Sequence, residues 1–134
     1  MKTIKRLLIL TTILVMVLFS NCKKTNDLAP FSPEITNLPD NFQLQATNIV
    51  NVSTSITYSW TNSGTKANID ISGILTSGDG SLSIKDSNNA QVYTSDLKTT
   101  GSTTSIAGVT GSWKITLVLT NSNGTLNFRV QKGN

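Results

Sequence analysis

The chain has 134 residues, 37% of them hydrophobic, with eleven Lys and Arg against seven Asp and Glu, a single cysteine and no histidine. Without histidine there is no Ser-His-Asp triad, no Cys-His pair and no His-containing zinc site, and one cysteine allows no disulfide within the chain. The formal charge of +4 invites a nucleic-acid reading, but without Lys2, Lys5 and Arg6 at the N-terminus it falls to +1, and no basic patch interleaved with aromatics remains.

Those three cations precede an uncharged apolar run over residues 7–19, the build of a secretory signal. The run falls short of the roughly 20 apolar residues that cross a bilayer. Asn21, Lys23 and Lys24 follow it, so it reads as a segment removed on export. At its end stands Leu18-Phe19-Ser20-Asn21-Cys22, which resembles the lipobox of bacterial lipoproteins. The resemblance implies that residues 1–21 are cleaved and that Cys22 is acylated, palmitate being one such chain, and becomes the new N-terminus. Phe19 and Asn21 replace the small residues usual in that box. Relaxed boxes followed by Lys-Lys resemble those of Bacteroidota-type lipoproteins of Gram-negative bacteria. Lys23, where an aspartate would retain the protein at the inner membrane, implies the outer membrane, and the lack of an acidic cluster around Asp27 points to its periplasmic face. Each buried methylene adds about 0.8 kcal/mol, so two or three chains on Cys22 would make the membrane a lasting partner.

Residues 22–39 read as the acylated cysteine and a tether, because Pro30, Pro33 and Pro39 are the only prolines and each fixes φ and removes a donor. The alternative is that Phe31 and Ile35 belong to a first edge strand, where proline is tolerated.

From residue 40 to residue 134 apolar residues recur at every second position, which predicts one domain of strands and no helix. Residues 42–50 form one strand. Ile56, Tyr58 and Trp60 share one face of the next; Asn62-Ser63-Gly64 turns the chain; Ala67, Ile69 and Ile71 run back. Ser77-Gly78-Asp79-Gly80 reads as a turn before Leu82 and Ile84, and residues 86–89 as another before Gln91-Val92-Tyr93. A short strand follows around residues 104–107. Trp113, Ile115, Leu117 and Leu119 then alternate with polar residues, Ser122-Asn123-Gly124 reads as a hairpin turn, and Leu126, Phe128 and Val130 return inside, with Asn127, Arg129 and Gln131 outside.

Seven to eight strands with turn signals at this spacing indicate an all-β antiparallel β-sandwich. The stretches Gly80-Ser81-Leu82-Ser83-Ile84-Lys85-Asp86, Val92-Tyr93 and Thr110-Gly111-Ser112-Trp113-Lys114-Ile115 resemble small immunoglobulin-like or jelly-roll domains of secreted bacterial proteins, including the pre-peptidase C-terminal type. That resemblance implies a fold and no activity.

Motifs for catalysis are missing: the one glutamate, Glu34, lies in the tether, and there is no phosphate loop, no dinucleotide fingerprint and no distinctive Ser-x-x-Lys. No catalytic residue and no cofactor is implied. Asp79, Asp86, Asn88 and Asn89 could offer oxygens to calcium from neighbouring loops, but Gln91 and Leu97 stand where an EF-hand needs Gly and Glu, and the same residues are ordinary turn formers. No metal is therefore assigned. Trp60 and Trp113 follow the inward phase and read as core; Tyr93, beside inward Val92, is the candidate ligand contact, a ring on which a sugar face could stack. Two readings stand: a structural or protein-interaction module of an envelope lipoprotein, and a carbohydrate-binding or adhesive module, with envelope proteins or glycans as the respective partners.

Overall fold

Period-two alternation becomes strand wherever it occurs. The computed structural model describes residues 31–134, and among them there are seven strands and no helix. The signal segment, Cys22 and the tether up to Pro30 lie outside the described residues. In chain order the strands are β1 (Glu34–Leu38), β2 (Asn41–Asn62), β3 (Lys66–Ile71), β4 (Leu75–Lys85), β5 (Gln91–Asp96), β6 (Gly101–Thr104) and β7 (Gly111–Gly133). Every pairing is antiparallel.

The expected hairpin at Ser122-Asn123-Gly124 does not form. β7 continues through it as one strand of 23 residues. It pairs along its length with the 22-residue β2, from Asn41 opposite Gln131 to Asn62 opposite Gly111. A fully extended strand of that length would span about 70 Å. Its two ends nevertheless meet, since the amide N–H of Asp40 donates to the carbonyl oxygen of Thr61 at 2.8 Å. β2 is therefore folded back on itself, and β7 follows it.

Bulges make the fold-back. In β2 the register slips between Ala46 and Thr54, where Asn48 (φ 55°) and Asn51 (φ 50°) take left-handed conformations. Each extra residue flips the phase of burial. Phe42, Leu44 and Ala46 point inward, then Ile49, and the phase is restored by Val52 and carried on to Trp60 and Asn62. β7 shifts once, at Asn121 (φ 47°), so that inward residues change from Trp113, Ile115, Leu117 and Leu119 to Ser122, Leu126, Phe128 and Val130.

The bent ribbon supplies two arms to each of two layers. One layer runs β1, the first arm of β2, the second arm of β7, β3 and β6; the other runs the second arm of β2, the first arm of β7, β4 and β5. The result is the antiparallel sandwich, with its long strands shared between layers. Phe42 meets Tyr58 across the interior with ring centroids 5.3 Å apart, and Trp60 stands edge-on to Trp113 at 5.9 Å and 89°. Both tryptophans are buried, as are Ile115, Leu117, Leu126 and Phe128, so the inward phase was read correctly.

Three further readings are corrected. Ser77-Gly78-Asp79-Gly80 is a bulge within continuous β4, where Gly78 (φ 75°) passes so close to Asn121 that a Cβ would lie 2.2 Å from its carbonyl oxygen. Residues 34–38, read from the sequence as part of a tether, form β1. β1 pairs with β2 from Glu34 opposite Gln45 to Leu38 opposite Asn41, because the one proline between these ends of the pairing and the next strand, Pro39, falls in the turn. This is the edge-strand alternative: Ile35 pairs opposite Leu44 with its side chain exposed, and Phe31, just before the strand, packs against the core. The short strand expected at 104–107 is β6, displaced to Gly101–Thr104; at its end Ser105 turns inward, and its Oγ accepts the N–H of Ala67 at 2.9 Å.

Candidate functional site

The outward faces of β7, β3 and β6 form a polar groove. Register sets its composition: Arg129 lies opposite Asp70, and Asp70 opposite Ser102; in the next row Gln131 lies opposite Asn68, and Asn68 opposite Thr104. These alternate with buried Ile69, Phe128 and Val130, so all six side chains point to solvent from one sheet face. They enclose a groove of about 350 Å³. Thr104 Oγ1 donates to Asn68 Oδ1 at 2.9 Å, and Gln131 Nε2 to Asn41 Oδ1 at 3.3 Å, which tie the second row to its neighbours. In the first row the Asp70 carboxylate and the Arg129 guanidinium form no ion pair among the described residues, whose ion pairs are Lys98 with Asp79 and Lys132 with Asp40.

Chemically the groove offers amides and hydroxyls that both donate and accept, one carboxylate that accepts and one guanidinium that donates. A glycosidase needs two carboxyl groups across a scissile bond, and Asp70 is the only one lining the groove. The arrangement offers hydrogen-bonding groups to a polar ligand, with a single carboxylate among them.

A second, smaller hollow of about 170 Å³ opens beside the first, at the mouth of the sandwich between β6 and β5. Ile71 and Tyr93 line it together with Ser95, Thr99, Gly101 and Thr103. Tyr93 is not the outward ring that the sequence suggests. It stands opposite Ile84, on the inward side of β5, half-buried against the core. A register shift between Ile84 and Lys85 lets its neighbour Val92 be buried as well.

The oxygen set considered for calcium is not assembled. Asp79 is exposed and paired with Lys98, its Oδ1 2.5 Å from Nζ. Asp86 lies seven positions on, about 20 Å away along an extended strand. Its carboxylate is committed to backbone: Oδ1 accepts the N–H groups of Asn88 and Ala90, and Oδ2 that of Val109, each at 2.9 Å. These bonds, led by that from Val109, hold its carboxyl below the ordinary carboxylate value. Asn89 takes φ 65° in the same turn, and its Oδ1 accepts from Lys114 Nζ at 2.7 Å. Among the described residues no cluster of three Asp, Glu, His or Cys side chains could hold a metal.

Sequence reasoning placed Arg129 and Gln131 outside but did not join them to Asn68, Asp70, Ser102 and Thr104. The joining depends on β3 lying between β7 and β6, which alternation alone does not encode.

No family model matches the chain, and none of the curated proteins does. Among solved structures it is similar to the carbohydrate binding module CBM6cm-2 from Cellvibrio mixtus lichenase 5A in complex with cellotriose, at 14% identity over 79% of this chain and 89% of that one, with a TM-score of 0.47. A carbohydrate-binding module CBM36 in complex with calcium and xylotriose matches at 14% identity over 73% and 92%, with a TM-score of 0.41. The CBM36-1 domain of a multidomain xylanase from the hindgut metagenome of Trinervitermes trinervoides matches at 12% identity over 78% and 93%, also with 0.41.

Proposed function

We propose that this chain is a non-catalytic glycan-binding module, held at the bacterial envelope by acylated Cys22 on the periplasmic side of the outer membrane. The observation that carries the binding half is the outer groove, in which a carboxylate and a guanidinium stand on adjacent strands among amides and hydroxyls. A sugar hydroxyl donates one hydrogen bond and accepts others, so neighbouring hydroxyls can donate to Asp70 and accept from Arg129. Seven of the eight residues that line the groove carry polar or charged side chains, the exception being buried Ile69, so hydrogen bonding to hydroxyls is the chemistry it offers. The anchoring half rests on the lipobox resemblance around Cys22.

Affinity electrophoresis of the full chain in detergent through gels containing xylan, mannan, starch or hydroxyethylcellulose tests the binding. Retardation by at least one polysaccharide, lost in Arg129→Ala and in Asp70→Ala while both keep the parent's melting temperature, is the expected result. Free migration in every gel, or retardation that neither substitution alters, would overturn it.

A further inference from the structure

The outer groove and the hollow at the sandwich mouth share β6. Ser102 and Thr103 line both. Alternation puts Ser102 and Thr104 on the outer side, opposite Asp70 and Asn68, and puts Gly101 and Thr103 on the inner side, opposite Ile71 and Ile69, whose side chains are buried. One short strand is therefore a ridge with a polar trough on one flank and an aromatic-floored hollow on the other. β6 pairs only with β3, so its far edge presents backbone N–H and C=O groups that no other described strand takes up.

We propose that the mouth hollow is an extension subsite of the outer groove: a glycan seated on Arg129 and Asp70 rounds the β6 edge and places its next sugar against Tyr93. This rests on the reading of the outer groove as a glycan site. The chemistry changes along the path in the way a sugar chain requires. On the outer flank charged and amide groups meet hydroxyls. At the ridge the unpaired strand edge offers donors and acceptors of its own. In the hollow Tyr93 and Ile71 give an apolar floor for a pyranose face, while Ser95, Thr99 and Thr103 rim it with hydroxyls. Gly101 keeps the passage open: it lines the hollow, and a Cβ there would meet no atom within 4 Å. The ligand implied is a neutral oligosaccharide long enough to cover both flanks, since a shorter one fills the outer groove alone.

The same free space supplies the test. Gly101→Leu adds bulk from a Cβ position free of contacts, Tyr93→Leu removes the ring while keeping an apolar side chain against the core, and both variants are compared with the parent at matched melting temperature. Isothermal titration of the full chain in detergent is carried out with size-graded oligosaccharides of glucan, mannan and xylan. In the parent, affinity for the retained glycan should rise with length. Both substitutions should weaken the longest oligomer about tenfold, the scale of one lost aromatic contact, and leave the shortest unchanged. Arg129→Ala should abolish binding at every length. Affinity independent of length, or a long oligomer bound by Gly101→Leu as tightly as by the parent, overturns the extension and leaves the outer-groove reading standing. If no oligomer of any length binds the parent, the outer-groove reading fails and the extension with it.

Discussion

Asp86 shows how one side chain can hold a junction. Its carboxylate accepts three backbone N–H groups, two from the β4–β5 turn and one from Val109 in the segment that leads into β7. Asp40 holds the β1–β2 turn in a similar way: it accepts the Ser63 N–H at 2.7 Å and the Ser63 hydroxyl at 2.8 Å, and it faces Lys132. Those bonds, the Ser63 N–H first, also lower its carboxyl from the ordinary 3.8. A carboxyl that titrates lower in the folded chain than in the unfolded one stabilises the fold fully above the unfolded value, and the stabilisation is lost as pH falls through that value toward the lowered one. Urea midpoints should therefore be level from neutrality down to about pH 5 and fall below about pH 4, and the fall should shrink in Asp86→Asn/Asp40→Asn. An undiminished fall in that variant would place the acid sensitivity elsewhere. Trp113, fully buried with Nε1 donating to Val109 O at 2.7 Å, should cost about 3–5 kcal/mol on truncation to alanine, against about 0.5 kcal/mol or less for exposed Arg129→Ala. At the proposed anchor, mass spectrometry of the detergent phase should find acylated Cys22 as the first residue, and Cys22→Ser should leave the membrane fraction.

At the scale of the element, the long strands depend on residues that the sequence presents as turn formers. Gly78 is the clearest: its φ of 75° is one that residues with a Cβ adopt at a cost of about 1–3 kcal/mol, and the neighbouring Asn121 carbonyl leaves no room for that Cβ. Gly78→Ala should therefore destabilise by more than the backbone term alone, measured by denaturant titration, whereas Gly101→Ala should change little. Equal effects would mean that the β4 bulge is easily remodelled. The same residues explain what was legible. The strands, their inward phase and the core tryptophans follow from alternation, which burial enforces on each strand separately. Whether Ser122-Asn123-Gly124 ends a strand or merely bends it is different, because positive φ serves a hairpin turn and a bulge equally well. That choice is made by β2, whose own slips at Asn48 and Asn51 fall just before Ser53, the residue that faces the slip of β7 at Asn121. It is a property of the pair and cannot be read from either segment alone. The groove was hidden for the same reason: Asp70 and Arg129 are 59 positions apart and become neighbours only through register.

For the whole molecule, sharing β2 and β7 between layers means that neither layer is a separable unit. The first arm of β2 pairs with the second arm of β7, and the second arm with the first, so peeling either layer breaks a strand that the other needs. The pairing is also long-range throughout, from Asn41 with Gln131 to Asn62 with Gly111, which places most of the loop-closure cost before the contacts that offset it. Such topologies fold in about milliseconds to seconds, not microseconds. Trp60 and Trp113 are opposite one another near one end of the ribbon, while Phe42 and Phe128 stack at 6.0 Å in the other layer. Tryptophan fluorescence therefore reports one layer, and amide exchange at Phe42, Leu44 and Phe128 reports the other. Refolding followed by fluorescence should be a single slow phase, and exchange at those three amides should give the same free energy as the fluorescence-detected unfolding transition. Amides of the first β2 arm that exchange through a markedly lower free energy while the tryptophans remain buried would show that the shared strands do not couple the layers, and that the bends at Asn48, Asn51 and Asn121 act as hinges.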